Sequence, residues 1–184
     1  ASFVISVYLQ VVLGYNAIQT GLVLTPATVG ILLSGSRAAQ LAQRFSQRNL
    51  VVAGFAITLL GIAFLLLLVR ATSSPLTFVP GPFAIGVGVG IMLTSSVNIV
   101  QSSFAESEQG EISGLSRSVS NLGSSLGTAI AGSVLIAAIA LGNQAFALAL
   151  IVLGVFGLIG LGAALLMPAD AGRAGVDAAS ASRG

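Results

Sequence analysis

The sequence predicts an all-α membrane protein: a bundle of five complete transmembrane helices with a partial first one, over residues 1–167, followed by a disordered tail at 168–184. Two observations predict it. From Ser118 to Ala169 the chain runs 52 residues without an Asp, Glu, Lys or Arg, and residues 1–36, 49–69 and 71–105 are equally free of formal charge. About 20 apolar residues carry a helix across the ~30 Å hydrocarbon core of a bilayer, so the longest stretch holds two crossings and a turn. The composition agrees, with 55% hydrophobic residues and 7% charged. Soluble domains carry roughly 25% charged residues, and a soluble fold with so few could not cover its surface.

The elements follow from the apolar runs and their punctuation. Residues 1–13 are apolar but too short to span, and no basic region of a signal peptide precedes them. They are expected to be the end of a helix that begins upstream. Gly14-Tyr15-Asn16 opens a short polar loop, and a second helix is expected over 21–44. The third, 50–69, is broken in polarity only by Thr58. Ser73-Ser74-Pro75 marks a turn within 71–76. The fourth helix, 78–104, has Pro80 and Pro82 in its first turns, where a missing N–H is least harmful. An acidic loop is expected at 105–111, then helices at 112–140 and 144–167, the last closed by Met167-Pro168. The tail is rich in Ala, Gly and Ser and is expected to lack fixed structure.

The seven cationic residues are all Arg, and their placement orients the bundle. Arg44 and Arg48 lie between the second and third helices, Arg173 and Arg183 follow the last, and counting crossings puts both regions on one side. The other side carries only Arg70. By the positive-inside rule the Arg44–Arg48 loop and the C-terminus are expected in the cytoplasm, in a multi-pass protein of the plasma (inner) membrane.

Cys and His are both absent. That removes disulfides, thiol nucleophiles, imidazole bases and the usual zinc ligands. All five acids, Glu106, Glu108, Glu111, Asp170 and Asp177, fall in an expected loop or the tail, so no catalytic pair lies within a span. No enzyme, metal or cofactor is expected. Basic and aromatic residues do not cluster, which argues against nucleic acid as a partner.

Chemistry is instead expected along two polar stripes. On the fourth helix Gly90, Thr94, Asn98 and Gln101 share a face, as do Ser113, Arg117, Asn121, Ser124 and Thr128 on the fifth. In lipid such faces turn toward protein or a water-filled cavity, and Asn98, Gln101, Arg117 and Asn121 are the candidates for a solute pathway. The plainer reading is hydrogen bonding between helices, worth ~0.6 kcal/mol per contact. Arg117 has two readings of similar weight. It lies five residues past Ile112, roughly 8 Å along a helix rising 1.5 Å per residue. From there it could snorkel to the headgroups or pair with Glu106, Glu108 or Glu111; alternatively it serves the pathway. Gly86, Gly90, Gly123 and Gly127 are expected to be helix-packing positions.

In order along the chain, three passages resemble the C-terminal half of a major facilitator superfamily transporter, and within it the 14-helix drug:proton antiporter branch. Tyr8-Leu9-Gln10-Val11-Val12-Leu13-Gly14-Tyr15, with Thr20-Gly21-Leu22 and Pro26, is similar to the junction of the first two helices of that half. Leu41-Ala42-Gln43-Arg44-Phe45-Ser46-Gln47-Arg48 resembles its cytoplasmic loop motif, in which Arg44 and Arg48 keep their places while Gln43 and Ser46 replace Asp and Gly. The run from Gly110 to Gly132 resembles its glycine-punctuated fifth helix, with Arg117 nearly one turn earlier than the arginine of many relatives. The resemblance implies the six-helix half of a major facilitator fold, with the other, N-terminal half missing from these residues. It implies a secondary transporter exporting small amphipathic molecules, multidrug efflux included, by proton antiport. The proton-carrying carboxylate is then expected in the absent half. The competing expectation is a non-transporting helical membrane protein acting as an assembly or sensor module.

Overall fold

A computed structural model of the protein describes residues 2–69, 78–103, 106–138, 140 and 143–167. Among these there is no strand. The chain forms α1 (Ser2–Val7), which continues as a π-helical turn (Tyr8–Val12), then α2 (Ala17–Arg44), α3 (Gln47–Val69), α4 (Pro80–Ser103), α5 (Glu106–Ala137) and α6 (Asn143–Leu165). Five helices hold a stretch long and apolar enough to cross a membrane: Ala17–Arg37, Gln47–Leu68, Pro80–Asn98, Ser107–Ala137 and Gln144–Leu165. The expected turn at 71–76 and the tail at 168–184 lie outside the described residues.

Two boundaries differ from expectation for identifiable reasons. α2 starts at Ala17, four residues before 21, because Asn16 caps it: its side chain accepts from the Gln19 N–H (2.9 Å), and the Gln19 side chain accepts from the Asn16 N–H (3.1 Å). That reciprocal pair satisfies two amides that no helix interior can reach. Gly14, at φ +68°, turns the chain into this cap in a conformation that a Cβ disfavours. α5 starts at Glu106, so the acidic segment expected as a loop is helical. Glu and Gln are good helix formers, and negative charge in the first turns complements the helix dipole. The connection between α2 and α3 is only Phe45 and Ser46, and the Ser46 hydroxyl accepts from the Asn49 N–H (3.3 Å), capping α3.

The packing order across the bundle is α2, α4, α3, α6, α5, with α1 touching α5 and α6 and, more lightly, α2. Lipid tails are as apolar as leucine, so association in a membrane rests on close contact rather than on hydrophobic burial. The α2–α4–α3 contact achieves this through glycine. A Cβ on Gly30 would stand 2.6 Å from the Phe83 carbonyl oxygen of α4; one on Gly61 would stand 2.9 Å from that of Gly81. One on Gly54 would meet the Gly88 carbonyl at 2.8 Å. These pairs also give direction: α2 runs parallel to α4, and α3 antiparallel to it. α6 lies antiparallel to α3, with Gly157 over Leu59 and Gly160 over Phe55.

The best-buried core lies at the Asn16 end. Tyr8 stacks on Phe146 (centroids 3.9 Å apart, planes at 14°) and lies tilted to Phe78 (6.4 Å, 55°), surrounded by Leu9, Leu65, Leu135 and Leu150. At the other end the Arg48 guanidinium donates to the Leu165 carbonyl, closing the last turn of α6 onto the start of α3. Basic groups suit a helix C-terminus, where carbonyls lack internal partners.

Candidate functional site

α4 and α5 follow one another in sequence yet touch little, and between them opens a cleft of roughly 420 Å³. From α5 it is lined by Ser113, Ser116, Arg117, Ser120 and Asn121. These fall at −4, −1, 0, +3 and +4 about Arg117, the set that one face of a helix brings together. From α4 come Ser96 and two apolar residues, Leu93 and Val97.

The polar groups here differ from those elsewhere in the bundle. Thr94 donates to the Gly90 carbonyl (3.0 Å), Thr58 to that of Gly54 (2.9 Å) and Ser34 to that of Ile31 (3.1 Å), so these three hydroxyls are satisfied by their own helices, whereas that of Ser95 on α4 is buried without a partner among the described residues. Ser96, Ser113, Ser116, Arg117, Ser120 and Asn121 have no hydrogen-bond partner among the described residues. Nor does Arg117 pair there with a carboxylate: Glu108 and Glu111 lie exposed on α5 without reaching it. The cleft thus gathers one permanent positive charge and a set of uncommitted donors against an apolar wall.

The sequence candidates separate. Arg117 and Asn121 meet in the cleft, but Asn98 does not line it. The stripe to which Asn98 belongs turns toward α2: Gly86 lies against the Ala27 backbone, Gly90 against Ile31 and Ser34, and Thr94 near Gly35. The two polar stripes therefore do not face each other among the described residues. Each turn of α4 spends its small-residue face on α2 and offers Leu93, Ser96 and Val97 to α5. The side chains of Gln101 and Arg44 lie outside the described residues. Gly123 and Gly127, expected to be packing positions, have nothing within 4 Å of an added Cβ, so no close approach is made there within the described chain. Ser96, Ser116 and Ser120 are the lining groups that the stripe analysis missed. Ser116 and Ser120 were legible as immediate helical neighbours of Arg117. Ser96 was not, because on α4 it stands off the stripe.

The profile of the Major Facilitator Superfamily matches residues 1–182. This chain belongs to that superfamily. It is similar to the multidrug efflux pump LfrA of Mycolicibacterium smegmatis (30% identity over 132 residues, 72% of this chain and 26% of the relative). It is also similar to the probable actinorhodin transporter of Streptomyces coelicolor (31% over 153 residues, 79% and 25%). A third relative is the puromycin resistance protein pur8 of Streptomyces alboniger (31% over 130 residues, 69% and 26%). The chain spans about a quarter of the length of these curated relatives. Its helices, its family and its relatives make it a multi-pass membrane protein of a transporter family.

Proposed function

We propose that this chain forms the C-terminal half of a secondary transporter that exports small amphipathic compounds in exchange for protons, and that the α4–α5 cleft is part of the solute path. The observation that carries this reading is the set of polar side chains around Arg117 that have no partner among the described residues. Polar groups at membrane depth are costly unless they face protein or a water-filled cavity, and here they line an opening rather than a helix contact. The similarity to efflux proteins supports export as the direction of transport, and the resemblance of the sequence to drug:proton antiporters supports protons as the coupling ion. Glu108 and Glu111 stand exposed in the first turns of the α5 span and do not line the cleft, and in this reading the proton carrier belongs to the half of the transporter outside these residues.

The Arg44–Arg48 connection and the C-terminus lie in the cytoplasm in this reading, by the asymmetry of four arginines against one. Gly123 and Gly127 then receive a segment of the complete transporter that lies outside this chain. Efflux of a fluorescent substrate from cells, normalised to membrane protein level, tests the pathway. Asn121→Ala should slow efflux several-fold at normal abundance, and unchanged efflux would remove the cleft from the path. Single cysteines at Ser46 and Ser180 should resist an impermeant thiol reagent in intact cells while one at Ser74 reacts; the reverse pattern would invert the topology.

A further inference from the structure

The side chains of the cleft also specify the charge of what enters it. We propose that the α4–α5 cleft receives a single anionic group, a carboxylate or a phosphate, carried on an apolar body, with Arg117 as its ion-pairing partner. The inference deepens the pathway reading and rests on the cleft being accessible in the complete transporter.

Four observations converge. Among the described residues the only formal charge lining the cleft is that of Arg117, so a cationic solute would meet repulsion with no described carboxylate to offset it. The groups around the guanidinium are donors with free capacity: three hydroxyls of α5, the Ser96 hydroxyl across the gap and the Asn121 amide, none hydrogen-bonded among the described residues. A planar guanidinium presents paired N–H groups that match the two oxygens of a carboxylate or phosphate, and hydroxyls at its flanks can take the remaining lone pairs. Leu93 and Val97 form an apolar wall beside this cluster, and the volume of roughly 420 Å³ lies within the range of small-molecule sites. An unpaired guanidinium within a spanning segment is unfavourable by itself, and an anion seated here would neutralise it without a protein carboxylate. In the α2–α4 contact, by contrast, the Ser34 and Thr94 hydroxyls bond back to carbonyls of their own helices.

The same chemistry could be met by a free anionic amphiphile or by the phosphate of a lipid headgroup, and the experiment separates them. The complete transporter, purified in a neutral detergent, is titrated with dodecyl phosphate and with dodecyltrimethylammonium, and thermal unfolding is followed. Dodecyl phosphate should stabilise it saturably and the cation should not. Arg117→Gln should weaken dodecyl phosphate binding at least tenfold, while Arg37→Gln, an exposed arginine on α2, should leave it unchanged. If Arg117→Gln does not fold, the double variant Ser120→Ala/Asn121→Ala, which keeps the charge, should weaken binding several-fold. Native mass spectrometry after extraction from vesicles of phosphatidylglycerol and phosphatidylcholine gives the source. Phosphatidylglycerol retained by the wild type and lost from the variant assigns a headgroup; dodecyl phosphate binding without retained phosphatidylglycerol assigns a free anion. Equal binding of dodecyl phosphate by wild type and variant, or a preference for the cation, would overturn the proposal. Loss of binding with efflux intact would spare the anion site and end the pathway reading. Loss of efflux in Asn121→Ala with anion-independent binding would do the opposite.

Discussion

α4 and α5 carry the same vocabulary of Gly, Ser, Thr and Asn, and the bundle uses it in opposite ways. In α4 the small residues admit other backbones: 39% of its membrane-length window is buried, against 17% for that of α5. Gly86, Gly88 and Gly90 each stand where a methyl group would collide with a neighbouring helix, whereas Gly114, Gly123 and Gly127 border open space. What separates the two helices is therefore not residue type but whether a second backbone lies opposite. Where it does, glycine brings helices together, as at Gly86, Gly88 and Gly90. Where it does not, the same residues leave a polar cleft with capacity to bind.

The largest test of that contrast is Gly86→Leu in the complete transporter. The new side chain meets the Ala27 backbone, which cannot swing aside as a side chain would, so the loss should reach the upper end of overpacking, about 3 kcal/mol. Detergent-extracted protein should unfold well below the wild type, and an unchanged midpoint would mean that α2 and α4 are not in close contact. Tyr8→Ala should come next. It removes the stack on Phe146 through which the first helix holds α6, at about 2–3 kcal/mol, near the lower end of aromatic truncation in cores. Wild-type stability here would leave α1 without a packing role. Asn16→Ala should lower stability by about 1 kcal/mol, the usual value of a lost N-cap, and Asn16→Ser should restore most of it. Gly127→Leu should have the smallest effect, within about 0.5 kcal/mol if nothing covers α5. A loss as large as that of Gly86→Leu would show that a backbone from outside this chain lies on α5, which would abolish the contrast in the assembled protein and support the packing role proposed for Gly123 and Gly127.

Much of this architecture was legible because charge and helix length are local properties. The charge-free stretches located the helices, and the fourth, expected from 78 with Pro80 in its first turns, starts at Pro80, whose fixed φ suits that position. The early start of α2 was carried by Asn16 and Gln19, three residues apart, a capping signal visible in the sequence but outweighed by the polarity of the segment. The helical character of Glu106–Glu111 was hidden for a related reason: polarity predicts exposure to water, and exposure is compatible with helix. The site was half legible. The spacing of Arg117 and Asn121 fixed them on one face of α5 whatever the fold. Which face of α4 would look at them depended on where α2 packed, and that is decided by Gly30, Gly35 and Gly86 together, residues more than 50 positions apart. No window along the chain contains that information.

The two-residue link through Phe45 and Ser46 has a mechanical consequence. With so short a tether, and with α4 wedged by glycine contacts against both α2 and α3, these three helices form a stiff block in which any tilt of one is imposed on the others. α5 has no comparable glycine clamp along its cleft-facing length; among the described residues its contacts lie mainly with α6, and more lightly with the first helix, near Ala131 to Leu135, and with α4. Swinging α5 about that anchored end changes the gap beside Ser96 while disturbing none of the tight backbone contacts. The tight backbone contacts of the bundle thus lie away from the wall that carries Arg117.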